Sequence, residues 1–273
     1  MIPKNCKLGR GLMSMLSNRN VLITGGAKGI GRGIAQACLD AGASVALVDI
    51  DKSAVEKTIK ELKSGGDQRL IGEELDVANE KNLESTFKKV DKDIGGLNGV
   101  VINAGILHLQ YVEKLELADW NRVLSINLTG AFLCARESVR LMRGKNSDSS
   151  IVFTSSLFGL RGGRENGAYS ASKFGVIGLA QSLAAEVAAD GVRVNSVCPG
   201  QIETEMMTKL VSDREVLTAK SREQIIADLV SHIPSKKMGS ISDVSDAFVF
   251  LLSSKSRYIT GQSLVVDGGW LVG

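Results

Sequence analysis

Apolar residues along the chain fall into short β-branched runs that alternate with longer stretches of helical spacing. Asn20–Thr24, Ser44–Val48, Arg69–Leu75, Leu97–Ile102, Ile151–Thr154, Val192–Val197 and Ser263–Val266 have the length and composition of buried strands. Between them, Ile30–Ala41, Lys52–Lys63, Glu80–Lys92, Leu117–Met142, residues 169–189 and Asp243–Leu252 carry apolar positions at helical spacing. A polar loop, GKNSDSS, precedes the strand at Ile151. Residues 201–240 break the rhythm and predict two short helices in a flap. Its methionines, Met206, Met207 and Met238, suit an adaptable apolar lining. No repeat, low-complexity linker or second composition zone interrupts the alternation. Strand–helix alternation of this kind predicts an α/β fold in a single domain over residues 18–273, with a doubly wound parallel sheet and helices on both faces.

The strand at Asn20–Thr24 runs directly into Gly25-Gly26-Ala27-Lys28-Gly29-Ile30-Gly31 and then into a helix. In that context the glycines let the backbone approach a pyrophosphate, which then sits at the positive end of the helix. Taken alone, the same glycines would only mark a tight turn. The second strand ends in Asp49, eighteen residues after Gly31, where a carboxylate can bind the adenosine ribose hydroxyls. A negative charge there repels a 2′-phosphate, so the expected cofactor is NAD rather than NADP. Lys28 carries the contrary sign, because a cation in the turn can pair with such a phosphate. Asp76 and Val77 follow the third strand, placed to cap an adenine amino group and pack on its ring. An ordinary surface aspartate fits the same spacing. Asn103-Ala104-Gly105 follows a buried strand on the side where open parallel sheets hold ligands.

The catalytic chemistry is concentrated in SSLFGLRGGRENGAYSASK, from Ser155 to Lys173. Tyr169 and Lys173 stand at i and i+4 of a helix and share a face. An ammonium beside a phenol favours the phenolate, and a phenol so tuned can exchange a proton with an alcohol or carbonyl oxygen. Ser156 ends the strand-like run IVFTSS, where its hydroxyl can hold that oxygen from the other side. Asn127 is a poor helix former inside an otherwise good helix. It suits a site where a side chain or a disturbed helical hydrogen bond holds a buried water. Thr204, in the flap, is placed to bond a nicotinamide amide.

Composition excludes more than it selects. The chain has 273 residues, 44% hydrophobic and 23% charged, with a net charge of +3, so neither a nucleic-acid nor a membrane partner is expected. Cys6, Cys38, Cys134 and Cys198 are scattered and show no metal spacing; they read as reduced thiols of a cytoplasmic protein. His108 and His232 are the only histidines, so no metal is expected. Residues 1–17 read as a disordered tail, or as an extension ahead of a start at Met13 or Met15. They lack the apolar stretch of a signal peptide, and their amphipathic pattern is poor for an organelle-targeting segment.

Taken together, these stretches resemble the short-chain dehydrogenase/reductase family over residues 18–271. TGGAKGIG at 24–31 is similar to its cofactor turn, LDV at 75–77 to its adenine-contacting acid, and INAG at 102–105 to its NNAG segment, with Ile102 replacing the first asparagine. SIN at 125–127 puts Asn127 at the family's active-site asparagine, and Ser156, Tyr169 and Lys173 fall on its serine, tyrosine and lysine. PGQIETEM at 199–206, with Pro199, Gly200, Ile202 and Thr204, resembles its nicotinamide-side segment. TGQSLVVDGG at 260–269 resembles its C-terminal segment. The resemblance implies a Rossmann-type fold, and hydride transfer between a nicotinamide cofactor and a secondary alcohol or ketone such as a polyol, sugar or diol. A 3-oxoacyl-thioester reductase is the alternative, and a non-catalytic NAD-binding scaffold a remote one. It further implies that Lys173 holds the nicotinamide ribose, that Asn127 holds a water linking Lys173 to solvent, and that the protein is a homotetramer.

Overall fold

The computed structural model describes residues 15–62, 68–145 and 148–273. Seven parallel strands form one sheet: β1 Asn20–Thr24, β2 Ser44–Asp49, β3 Leu70–Glu74, β4 Gly99–Ile102, β5 Ser149–Thr154, β6 Val192–Pro199 and β7 Ser263–Val266. They lie in the order β3-β2-β1-β4-β5-β6-β7. All pairings are parallel, with Val21 opposite both Val45 and Gly99. β4, β5 and β6 are buried along their whole length, the continuous burial expected of strands covered on both faces.

Successive side chains of a strand point to opposite faces, and β1 divides the core accordingly. Leu22 packs with Phe87, Val100, Phe153 and Val176 on one side. Val21 and Ile23 pack with Ile34, Val101 and Phe248 on the other. The first side is closed by α3 Glu80–Ile94, α5 Gly130–Met142 and α6 Gly167–Val187; the second by α1 Gly29–Asp40, α2 Lys52–Glu61 and α9 Ile241–Leu252. α3 shows why such segments fold. Leu83, Phe87, Val90 and Ile94 make one buried stripe, the Asn79 side chain accepts from the N–H of Asn82, and left-handed Gly95 (φ 91°) ends the helix.

Within the irregular segment lie α7 Glu205–Thr218 and α8 Arg222–Ser231, the two short helices expected there. Ser221 and Gln224 form a capping box that starts α8. Leu210, Val211, Ile225 and Leu229 close a small apolar cluster with Leu109, separate from the two sheet cores. The long helix expected over Leu117–Met142 is interrupted. α4 Leu117–Leu124 passes through a π-turn at Ser125–Thr129 before continuing as α5.

The N-terminal boundary differs from expectation. Leu16, assigned above to the tail, is fully buried, and its N–H donates to the carbonyl of Ala41 at 2.9 Å. A leucine next to the end of α1 gains more from joining the second core than from staying in water. Packing therefore begins at least as early as Met15, which lies against the same core. The tail expectation for residues 1–14 falls outside the described residues. No helix among the described residues is long and apolar enough to cross a membrane.

Leu16→Ala is expected to cost about 2–4 kcal/mol. The measurement is the urea midpoint at unchanged m-value. A wild-type midpoint would mean that the domain does not depend on this contact.

Candidate active site

The strand order turns back between β1 and β4, and open parallel sheets hold ligands at the carboxyl ends beside such a point. Three side chains fasten that edge. The Thr24 hydroxyl accepts from the N–H groups of Asn103 (2.9 Å) and Ala104 (3.1 Å). The Asn103 amide donates to the carbonyls of Thr24 and Gly25, both at 3.1 Å. The Thr154 hydroxyl donates to Asn103 Oδ1 at 3.1 Å, which draws β5 into the same knot.

The glycine turn is compressed against this knot. A Cβ on Gly31 would lie 2.0 Å from the Gly25 carbonyl oxygen. One on Gly25, itself at φ 61°, would lie 2.9 Å from the Ala104 Cα. Only glycine fits either place. α1 starts at Gly29 with no side-chain cap from Lys28 and no acidic residue in its first turn. Its first N–H groups are thus left for an anion. Asp49 ends β2 beside the turn; its carboxylate accepts from the N–H groups of Ala27 and Asp51, both at 3.2 Å. These features fit a dinucleotide: a bare cradle for its pyrophosphate, and a carboxylate within reach of a ribose.

A cavity of about 390 Å³ continues from this cradle along the strand ends. Gly25, Lys28, Gly29, Ile30, Gly31, Asp49, Asp76, Val77, Asn103, Ala104, Gly105, Ser156, Tyr169, Lys173, Pro199, Gly200, Ile202 and Thr204 all line it. Every site residue expected from sequence is therefore brought to one place except Asn127, which lies behind the wall. Asp76 spends one carboxylate oxygen on the N–H of Ala78 (2.9 Å), while Val77 also packs on Gly130. Thr204 caps α7 by accepting from the N–H of Met207 (3.2 Å), so its hydroxyl is engaged within the chain.

Asn127 sits inside the π-turn and is 1% exposed. Its Oδ1 accepts from the N–H of Ile106 (2.8 Å), and its Nδ2 donates to the Ile106 carbonyl (2.9 Å) and the Ser172 hydroxyl (3.1 Å). Both amide N–H groups are thereby spent, while Oδ1 accepts a single bond and the helical ladder around it is disturbed.

Lys173 is 4% exposed and donates to the Thr154 carbonyl at 2.8 Å. Its Nζ lies 5.6 Å from the centre of the Tyr169 ring. The Ser156 hydroxyl accepts from the N–H of Phe158 (3.2 Å) and lies on the phenol side of the cavity, where it favours the ionised form of Tyr169. Sequence spacing predicts a phenol pKa lowered by Lys173. The protein alone does the opposite. Burial pushes Tyr169 up to about 12, with Ser156 acting against the rise. Burial likewise lowers Lys173 to about 8. Each group loses water, so each favours its neutral form. At neutral pH Tyr169 therefore holds its proton.

The cavity is also lined by residues that sequence did not single out for the site, among them Leu107, Phe158, Asn166 and Leu210. Asn166, three residues before Tyr169, had a legible signal as a polar residue one helical turn away on the same face. Phe158 and Leu210 had none, because only the fold carries them there. Among the described residues, no three His, Cys, Asp or Glu side chains cluster as a metal site.

A family profile described as enoyl-(acyl carrier protein) reductase matches residues 25–271. The chain is 33% identical to 2-(S)-hydroxypropyl-CoM dehydrogenase 3 of Xanthobacter autotrophicus, over 94% of this chain and 98% of that protein. It is 34% identical to a 3-oxoacyl-(acyl-carrier-protein) reductase of Aquifex aeolicus, over 93% of this chain and 98% of that one. Among solved structures, a levodione reductase superposes with a TM-score of 0.88 at 30% identity, covering 94% of this chain and 100% of that chain. The chain belongs to the short-chain dehydrogenase/reductase family, whose members are oxidoreductases acting on CH–OH groups with a nicotinamide cofactor.

The buried lysine gives a stability prediction with a definite sign. Moving its pKa from 10.5 to about 8 corresponds to about 3 kcal/mol of penalty on the protonated form. The unfolded chain binds more protons between those values, so the penalty is complete below pH 8 and fades as pH rises towards 10.5. Lys173→Met removes that penalty but also loses a charge-assisted hydrogen bond to Thr154, worth about 1.5–3 kcal/mol, so the two nearly cancel at pH 7. The cofactor-free variant should lose about 2 kcal/mol relative to wild type between pH 7 and pH 10, as the penalty on the wild type fades. Denaturation at both pH values checks this; a variant-to-wild-type difference that does not change with pH would refute the buried-charge cost.

Proposed function

We propose that this short-chain dehydrogenase/reductase is an NAD-preferring enzyme that interconverts a secondary alcohol and its ketone, with a small molecule as substrate. The observation that carries the reading is one cavity that joins a dinucleotide cradle to Tyr169, Ser156 and Lys173. Bound nicotinamide supplies the hydride acceptor or donor. Tyr169 gives its proton to the carbonyl oxygen in reduction and removes the hydroxyl proton in oxidation. Ser156, which lines the same cavity, orients and polarises the same oxygen. Lys173 holds the nicotinamide ribose and returns protons through the disturbed helix at Asn127.

The cofactor contacts follow the cavity wall. Gly25, Gly29, Ile30 and Gly31 cradle the pyrophosphate, and Asp49 takes the adenosine ribose. Asp76 and Val77 hold the adenine. Asn103, Ala104 and Gly105 form the floor, while Pro199, Gly200, Ile202 and Thr204 flank the nicotinamide. Two observations support NAD over NADP. Asp49 lines the cavity beside the glycine turn, and Lys28, the residue that could favour a phosphate, is paired to Asp51 at 2.7 Å. The relatives named for a hydroxyl or carbonyl substrate support the reaction class, and the acyl-carrier relative keeps 3-oxoacyl-thioester reduction as the second reading.

Cysteines Cys38, Cys134 and Cys198 are free and buried, consistent with a cytoplasmic home. Exposed Leu117, Phe132 and Phe174 on α4, α5 and α6 support subunit association as a homotetramer, the assembly the family resemblance implies.

The test is NADH formation from NAD across simple alcohols, diols, polyols and hydroxy acids, with acetoacetyl thioesters and NADH or NADPH as the reductive arm. Turnover of alcohols supports the reading, and turnover confined to thioesters replaces it with the second. Tyr169→Phe should lower kcat by about 10³-fold or more while NADH binding persists; turnover near wild type would remove Tyr169 from the chemistry. Asp49→Ala should shift the NAD/NADP ratio of kcat/KM towards NADP by about 10- to 100-fold. An unchanged ratio would place the ribose elsewhere.

A further inference from the structure

Glu165, a few residues ahead of Tyr169, combines two features that each cost stability. Its backbone is left-handed, at φ 68°, which is uncommon for a residue with a Cβ. Its carboxylate is buried, the side chain being 4% exposed. Backbone strain persists only where the surroundings over-determine it, and buried ion pairs seldom add net stability. A role in placing other groups explains both.

Segments from three parts of the chain meet at this residue. Its carbonyl accepts from the Gln110 N–H at 2.9 Å, which ties down the loop after β4. Its carboxylate lies 3.4 Å from Arg214 Nε of α7 and 3.8 Å from Arg164 Nε. Arg164 is exposed and rests on the Tyr111 ring of the β4 loop, 5.5 Å from its centre. The residue after Glu165 is the N-cap of α6, the helix that bears Tyr169 and Lys173.

The same segments build one end of the reaction cavity. α7 contributes Met206, Met207 and Leu210 to its wall, and the β4 loop contributes Ile106 and Leu107. Leu210 and Val211 pack with Leu109 of that loop, but an apolar contact is non-directional and fixes no register. Among the described residues, no other ion pair and no side-chain hydrogen bond joins α7 to the chain outside residues 201–240. Arg214 Nε has no hydrogen-bond partner, so the link to Glu165 is one of charge, which a neutral amide does not supply. Neither Glu165 nor Arg214 lines the cavity, so neither touches substrate there.

We propose that Glu165 and Arg214 are positioning residues whose ion pair holds the α7 wall of the substrate cavity in register with the start of α6, and so with Tyr169. This rests on the dehydrogenase reading above and adds what sets its substrate fit.

The variants are Glu165→Gln, Arg214→Met, the two combined, and Arg214→Lys, which keeps the charge. The readouts are steady-state kinetics with the alcohol that wild type turns over fastest in the panel above, NADH affinity by fluorescence, and hydrogen exchange of α7 in the cofactor-free protein. Glu165→Gln and Arg214→Met should each lower kcat/KM by about tenfold or more, chiefly through KM, with kcat within about threefold and NADH affinity unchanged. Exchange in α7 should quicken by about tenfold in both, while the sheet strands keep their wild-type protection. The double variant should be no worse than the poorer single variant, because one interaction is lost only once. Arg214→Lys should recover most of the loss in KM. Wild-type KM in the single variants, additive losses in the double variant, unchanged exchange in α7, or lower global stability with unchanged kinetics would each overturn the proposal with the dehydrogenase reading intact. No turnover of any alcohol or thioester by wild type would instead overturn that reading, and α7 exchange would still accept or reject the ion pair as the tether of the cavity wall.

Discussion

The site depends on how closely the ends of β1 and β4 are held together. One threonine hydroxyl and one asparagine amide, Thr24 and Asn103, make four hydrogen bonds across this edge. They fix the height of the glycine turn, and the turn in turn sets where α1 begins. Thr154 extends the same network to β5, and the carbonyl of Thr154 receives Lys173. The glycine turn and Lys173 are thus parts of one hydrogen-bonded framework. Gly25 and Gly31 belong to it because any larger side chain would strike its backbone.

That framework carries an electrostatic burden. Lys173 and Tyr169 are both displaced towards their neutral forms by burial, so the protein without ligands holds a protonated phenol and a weakened ammonium. A neutral phenol is a ready proton donor for a carbonyl, whereas oxidation of an alcohol needs the phenolate. Stability and function pull apart here, as they commonly do where a charged group is buried for its chemistry. The π-turn is a second local irregularity close by. It lets the buried Asn127 side chain fasten both backbone groups of Ile106, and it disturbs the helical ladder there.

Residues 201–240 supply a different kind of order. α7 and α8 pack on their own small cluster, apart from the sheet cores, and they reach the active site through Met206, Met207 and Leu210. Arg214 ties this cap to Glu165, on the loop that precedes α6. The cavity wall and the start of α6 are therefore mechanically linked, and the unpaired amide of Asn166 lies at that junction.

Much of this was written in local sequence. Each strand and helix was legible because burial on a parallel sheet leaves continuous β-branched runs, and burial of one helix face leaves a stripe such as Leu83, Phe87, Val90 and Ile94. Glycine spacing, Asp49, and the interval from Tyr169 to Lys173 were legible for the same reason: contacts within a turn or along a helix have fixed sequence separations. What the sequence could not determine depends on groups distant in the chain. The burial of Leu16 requires the end of α1, and the side-chain bonds of Asn127 require Ile106 and Ser172. Lys28 is neutralised by an aspartate twenty-three positions away. The direction of the Tyr169 shift was misjudged from spacing because desolvation is set by everything packed around the ring. Asn166 lacks a partner only because the folded chain brings none to it, and no local pattern encodes that.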